Sequence, residues 1–243
     1  MMEWTEEGIV LGSRTHGETS AIAEILTRDR GRWLGLVHGG RSRRTRPILQ
    51  PGNVVEATWR ARLDEHLGRF TIEPERLRAA SLMQSRLGIY GVQTLCAHLR
   101  LLPERDAHAR LYDQAAVLMD HLSDPARAGE LMIRFEVTLL DELGVGLDLS
   151  RCAATGETNG LEWVSPRTGR AVGRESAQGY EDRLLALPAF LAQRHGEAVA
   201  VDELRDGFAL TGAFLDKAVW TIRETPPPAE REAFVRTVLK GLT

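Results

Sequence analysis

Seven arginines, Arg28, Arg30, Arg32, Arg41, Arg43, Arg44 and Arg46, fall between positions 28 and 46 against a single carboxylate, Asp29. Such a set suits the holding of an anion rather than the making of a bond. A guanidinium is a planar, permanently charged fork that grips phosphate at two points and stacks on flat rings. Trp33 lies inside the same run and supplies an aromatic plane on which a base can stack. The excess is local, because the whole chain carries 31 Lys and Arg against 34 Asp and Glu, a net charge of −3. Residues 1–80 hold 13 basic and 11 acidic side chains, and the remainder 18 and 23, so the front is mildly basic and the back acidic. Lysine occurs only at Lys217 and Lys240. Arginine is therefore a habit of the whole chain, and its clustering is what carries information. A concentrated positive field in an acidic protein is the footprint of a polyanionic partner, and nucleic acid is the commonest. Arg28, Arg30, Arg32, Trp33, Arg41, Arg43, Arg44 and Arg46 are the expected binding residues. Positions 41–46 lack apolar periodicity, which predicts a flexible loop that tracks a sugar-phosphate backbone without reading bases.

Other chemistries find no support. Ser165 lacks a Gly-x-Ser-x-Gly setting, and Asp141-Glu142 are adjacent residues that cannot face one site from a helix. There is no Gly-Lys-Ser/Thr phosphate loop, and the histidines show no metal-ligand spacing. Cys96 and Cys152 stand far apart and form neither a CxxC pair nor a disulfide framework. No active site and no cofactor are expected. No run of about eighteen apolar residues occurs, so no membrane span is expected. The acidic start MMEWTEEGIV has no apolar signal core, so the cytoplasm is the expected compartment.

The elements that must position the arginines come in two kinds. Within residues 3–75, five short strand patterns centre on 8–11, 21–27, 33–37, 54–59 and 66–72 and are separated by Gly-rich turns such as Asp29-Arg30-Gly31 and Pro51-Gly52-Asn53. That predicts a small barrel over residues 1–80. If Leu34 and Leu36 face inward, Trp33 faces out; otherwise Trp33 joins the barrel core. Trp59, Trp4 and Phe70 are expected in the core. From residue 81 to 243 the apolar spacing turns helical, at 82–101, 107–121, 128–143, 184–191, 201–224 and 230–239. Asp124-Pro125 breaks the second helix from the third, and Thr225 with Pro226 is the expected start of the last. Residues 147–180 are polar and turn-rich, with two short strands around Pro166-Arg167-Thr168. The fold class is α+β: an N-terminal five-stranded OB-fold barrel, then a helical domain with an inserted loop. On the third helix Arg127 and Arg134 lie on nearly one face and are candidates for binding an acidic, apolar-tipped peptide.

The order and spacing of many short pieces resemble the RecO family of bacterial recombination mediators. The pieces are Gly8-Ile9-Val10-Leu11, Gly17-Glu18-Thr19-Ser20, Thr27 with Gly31-Arg32, Gly39-Gly40-Arg41, Leu49-Gln50-Pro51-Gly52 and Leu67-Gly68. Further on come Arg134-Phe135-Glu136, Leu139-Leu140, Leu143-Gly144, Leu147-Asp148, Cys152 and Val164-Ser165-Pro166 with Gly169. The resemblance implies a DNA repair and recombination mediator that binds single- and double-stranded DNA and anneals complementary strands. It also implies loading of recombinase on coated strands near the nucleoid, with RecR and the acidic tail of single-stranded-DNA-binding protein as partners. Some RecO-like proteins hold zinc with four cysteines in the inserted loop. Here Cys152 fits the first ligand position, Thr155 stands where the next would be, and no cysteine follows Pro166, so no zinc is expected. Two other readings remain at this point. One is an interaction scaffold that does not bind DNA; the other is an OB-fold regulator that binds RNA.

Overall fold

The computed structural model describes residues 2–63, 65–192 and 199–242. The chain divides into two compact units, Met1–Ser123 and Asp124–Thr243.

In the first unit, strands β1 (Met2–His16), β2 (Ser20–Thr27), β3 (Gly31–Val37), β4 (Val54–Ala61) and β5 (Arg69–Arg76) close into a barrel in the order β1-β2-β3-β5-β4. β1 pairs with both β2 and β4, and its register shifts between Val10 and Gly12, an irregularity that bends it between neighbours. Side chains alternate across the sheet, so one face of each strand fills the barrel. β2 sends in Ala21, Ala23 and Ile25; β4 sends in Val55, Ala57 and Trp59; Trp4, Val10 and Phe70 complete the set.

β3 corrects the expected orientation of Trp33. Its leucines face outward, and Trp33 is 6% exposed inside the barrel with Val37. The reason lies in the partner strands. Trp33 stands opposite inward-facing Ile25. Gly35, on the same face, has no side chain because a Cβ there would come within 2.4 Å of Phe70. The room left is filled by rings: Trp33 meets Trp59 at 4.7 Å and Trp4 at 5.3 Å, both edge-on. The indole N–H of Trp33 donates to the Arg30 carbonyl at 2.8 Å, which satisfies its one polar atom.

Three helices complete this unit: α1 (Ala79–Leu82), α2 (Arg86–Leu99) and α3 (Ala109–Asp120). The expected continuous helix over 82–101 is thus two, because Ser85 caps α2 by accepting from the Gly88 N–H at 2.9 Å. The barrel ends near the expected 80/81 boundary, yet polar ties group α1–α3 with it. Ala79 N–H donates to Asn53 Oδ1 (2.9 Å), Arg100 Nη2 to the Leu11 carbonyl (2.7 Å) and Tyr112 OH to Glu7 (3.0 Å).

The second unit opens with α4 (Pro125–Glu142), where Asp124 accepts from the N–H groups of Ala126 and Arg127. Strands β6 (Leu161–Val164), β7 (Ala171–Gly173) and β8 (Leu185–Ala186) form a small sheet in the order β7-β6-β8. Helices α5 (Arg174–Ala177), α6 (Ala189–Ala192), α7 (Val201–Leu215) and α8 (Ala229–Lys240) follow. Two expectations change here. The pattern at 184–191 is β8 and the start of α6, because Leu185 and Ala186 pair with Val164 and Trp163. The last helix starts at Ala229 rather than at Thr225, since each proline of 226–228 disfavours the helical conformation in the residue before it. Among the described residues no helix is long and apolar enough to cross a membrane.

Candidate nucleic-acid interface

The seven arginines do not form one surface. β3 is seven residues long, so its two ends lie roughly 20 Å apart. Arg28, Arg30 and Arg32 sit at one end, and Arg41, Arg43, Arg44 and Arg46 lie in the segment that leaves the other.

At the first end every guanidinium meets a carboxylate. Arg28 donates to Asp113 through Nε and Nη2, both at 2.9 Å, and to Asp29 at 3.2 Å. Its pKa is raised, chiefly by the hydrogen bond to Asp113, and the same pair lowers that of Asp113. Arg30 donates to Glu6 at 2.6 Å and lies 5.4 Å over the Trp4 ring. Arg32, with its side chain only 14% exposed, donates to Glu24 at 2.8 Å and to the Leu102 carbonyl at 3.1 Å. Glu24 also takes Arg100 at 2.6 Å. These three arginines, expected as phosphate contacts, are tied into the unit's own packing.

At the second end the charges stay available. Residues 38–53 are a run of turns between β3 and β4, and they are anchored, not loose as the sequence suggests. Gly40 packs so closely on β2 that a Cβ would sit 2.7 Å from the Ala21 Cβ. Ser42 accepts from the Thr45 N–H at 3.1 Å, and Arg46 N–H donates to the Ser42 carbonyl at 3.0 Å, which closes a helical turn. Leu49 is buried in the barrel core, with Ile48 packed against it. Asn53 Nδ2 donates to the carbonyls of Pro47 and Ile48 at 2.9 and 3.0 Å, fixing the far end of the segment. With the leucine and isoleucine holding it down, the arginines face water.

Arg41 ties this segment to the β1–β2 hairpin, donating to the carbonyls of Gly17 (2.9 Å) and Glu18 (2.7 Å). Carbonyls leave its full charge in place. Among the described residues, Arg41, Arg43, Arg44 and Arg46 have no carboxylate partner. Arg14, exposed on β1 opposite Ile22, has none either. It was not expected from sequence. Its position two residues before His16, at the end of β1 beside the hairpin tip, was the available signal.

The aromatic half of the expected site is missing. Trp4, Trp33, Trp59 and Phe70 are all buried in the barrel. Among the described residues of the barrel, no Trp or Phe is exposed beside these cations.

In the second unit Arg127 and Arg134 are held by one acid. Arg127 Nη1 and Arg134 Nε donate to the two oxygens of Glu130 at 2.7 and 2.8 Å, and Arg134 Nη2 donates to the Phe190 carbonyl at 2.8 Å. Arg127 and Arg134, expected to grip an acidic peptide, thus converge on Glu130 in this structure.

The inserted loop bears on the metal question through its donors. Cys152 is buried, and its sulfur accepts from the Gly173 N–H at 3.3 Å and lies 3.6 Å from Ser176 Oγ. Burial raises its pKa, but hydrogen bonds from Gly173, Thr155 and Ala154 outweigh that and bring it down to about 6. Among the described residues no three His, Cys, Asp or Glu side chains gather as a metal would require. One thiol with a threonine, a glycine and a serine does not fit a four-ligand zinc site.

A closed OB barrel joined to a helical unit that carries a small three-stranded insertion defines a two-part class of proteins. Comparison with known sequences narrows it. The family model described as Recombination protein O N terminal matches residues 1–77, and the one described as Recombination protein O C terminal matches residues 86–219. A DNA repair protein RecO of Rhizobium etli is 54% identical over 241 residues, covering 99% of this chain and 94% of its own length. Those of Methylobacterium nodulans and Brucella abortus are 56% and 51% identical, covering 96% and 99% of this chain and 97% and 98% of their own lengths. The chain belongs to the RecO family of DNA repair and recombination proteins.

Proposed function

We propose that this chain is a non-enzymatic mediator that binds single- and double-stranded DNA and anneals complementary strands. In this reading it also helps load a recombinase on strands coated by single-stranded-DNA-binding protein, in the cytoplasm at the nucleoid, together with RecR and without a bound cofactor. One observation carries the DNA-binding part: Arg41, Arg43, Arg44 and Arg46 sit on an anchored segment with no carboxylate partner among the described residues. Arginines held near two complementary strands offset the repulsion between their phosphates, a route to annealing that needs no nucleotide hydrolysis. Family membership supports the repair role. The buried aromatics favour phosphate contact over base stacking, so single strands and duplexes are bound with little sequence preference.

The test is fluorescence polarisation with DNA and RNA oligomers of matched sequence, using the wild type and Arg43→Glu/Arg44→Glu. DNA binding that the double variant weakens for all sequences alike is the expected result. Binding to neither polymer favours an interaction scaffold, and a large RNA preference favours an RNA regulator that reads 2′-hydroxyls. Strand annealing on oligonucleotides coated by the cognate single-strand-binding protein then tests the mediator step.

A further inference from the structure

We infer that residues 152–176 are a latent tetrahedral metal site: Cys152, Thr155, Gly173 and Ser176 stand at its four corners, and hydrogen bonds to one sulfur do the holding that a metal would do. Two arms converge. The first is the turn from Cys152 to Thr155, closed by the Gly156 N–H donating to the Cys152 carbonyl at 2.9 Å and the Cys152 N–H to the Glu157 carbonyl at 2.7 Å. The second runs from Gly173, at the end of β7, to Ser176 in α5. Both arms have two residues between their corners, the spacing of paired ligands in structural zinc sites.

The distances fit as well as the spacing. Metal–sulfur arms of about 2.3 Å at tetrahedral angles put ligand atoms about 3.8 Å apart. Cys152 Sγ and Ser176 Oγ are 3.6 Å apart. A Cβ built on Gly173 falls 3.8 Å from Cys152 Sγ and 4.0 Å from Cys152 Cβ, with no other atom nearer than 3.6 Å. Gly173 has φ −74°, a backbone any residue adopts, so a side chain enters there without strain. Thr155, at the remaining corner, turns its hydroxyl to Glu157 Oε2 at 3.3 Å. The chain thus keeps the frame and lacks the donors: neither Thr155 nor Ser176 supplies a thiolate or imidazole, and Gly173 supplies no side chain. The insertion is consequently metal-independent in this protein, and three substitutions suffice to make it bind metal.

The experiment compares the full chain with its Thr155→Cys/Gly173→Cys/Ser176→Cys variant. Each is stripped with chelator and titrated with cobalt(II), then zinc(II). The variant is expected to take up one cobalt with the visible absorption of tetrahedral thiolate coordination, to lose that absorption when zinc displaces cobalt, and to melt higher with zinc. The wild type is expected to bind no stoichiometric metal and to melt unchanged with chelator. A folded variant that binds no cobalt, or a wild type that retains one zinc through chelation, overturns the inference. A second variant covers failure of the triple variant to fold. In Ser176→Cys, oxidised glutathione takes the two thiol hydrogens and a disulfide forms between Cys152 and the introduced thiol. It is seen as a mass loss of two hydrogens and the disappearance of two titratable thiols. Retention of both thiols in the folded single variant shows that the arms do not converge and equally overturns it.

Discussion

Arg28 and Asp113 face each other through two parallel hydrogen bonds, Nε to Oδ1 and Nη2 to Oδ2, each 2.9 Å long. The pair joins the turn after β2 to α3, and it fills the two-point geometry that a phosphate would otherwise take. Arg28→Ala is therefore expected to leave DNA affinity and its salt dependence unchanged, within about twofold, because no phosphate contact is removed. Fluorescence polarisation across a salt series checks this. A fall in salt slope as large as that from an arginine of the 41–46 segment shows that Arg28 opens to DNA.

Arg43 and Arg44 carry the opposite expectation. Each neutralised phosphate contributes a slope of about −0.7 to the log–log salt dependence on single strands and about −0.9 on duplex. Arg43→Ala/Arg44→Ala is expected to make the single-strand slope shallower by about 1.4, the loss of two contacts. The variant's melting temperature is expected to match the wild type's, since neither side chain makes a hydrogen bond or ion pair among the described residues. An unchanged slope moves the site elsewhere.

Trp33 tests the missing stacking platform. Its ring fills the barrel among Trp4, Trp59 and Phe70, so Trp33→Ala is expected to cost about 3–5 kcal/mol in urea unfolding. Trp33→Phe keeps a ring in the core and is expected to retain DNA affinity within about twofold, far less than the roughly 1–3 kcal/mol that a stacked base contributes. A folded Trp33→Phe variant with a tenfold loss of affinity contradicts the buried assignment.

The barrel was legible in sequence because turn residues and alternation are local signals. Gly31, Gly52 and the 21–27 run mark hairpin and strand without help from elsewhere. The face of β3 was not legible, because Leu34 and Leu36 are as apolar as the face carrying Trp33. Gly35 decides between them, and its meaning depends on Phe70, which lies far along the chain. The arginine run failed as a single site for a related reason. Sequence shows Asp29 as its only acid, while Glu6, Glu24 and Asp113 reach Arg28, Arg30 and Arg32 from other strands and from α3. Charge density along a chain does not report charge pairing across a fold. Position 14 escapes notice because a lone arginine on a strand becomes part of a basic surface only once the hairpin tip meets the 38–53 segment.

Glu136 and Arg231 form the buried ion pair of the second unit, between α4 and α8. Glu136 is fully buried, Arg231 reaches its two oxygens at 2.7 and 2.9 Å, and Thr211 shares the cluster. Burial pulls the Arg231 pKa down, and the charge of Glu136 with its hydrogen bond more than offsets this. Removing one partner strands the other without water. Arg231→Met alone is expected to cost about 3–5 kcal/mol, while Glu136→Leu/Arg231→Met together recover most of that loss. Chemical denaturation of the two variants checks the difference. Equal losses show that packing, not the isolated charge, sets the cost.

Cys152 gives the second unit a pH dependence of definite sign. Burial opposes ionisation of its thiol, yet the hydrogen bonds from Gly173, Thr155 and Ala154 lower its pKa to about 6, against about 8.5 for an unperturbed thiol. A group whose pKa is depressed in the folded state adds stability that is complete above the unfolded value and is lost as pH falls through the folded one. The contribution is therefore full at about pH 9, shrinks toward pH 6 and is gone below it. Cys152→Ala removes the thiolate and the acceptor for those N–H groups. The melting temperature of the wild type is expected to exceed that of the variant by a margin that widens steadily as pH rises from 6 to 9. Direct ultraviolet titration of thiolate absorption, with Cys96 held above that range because burial pushes it up to about 12, assigns the transition to Cys152. A margin that stays constant across the range means that the sulfur remains a neutral thiol and that the hydrogen bonds hold the loop without its charge.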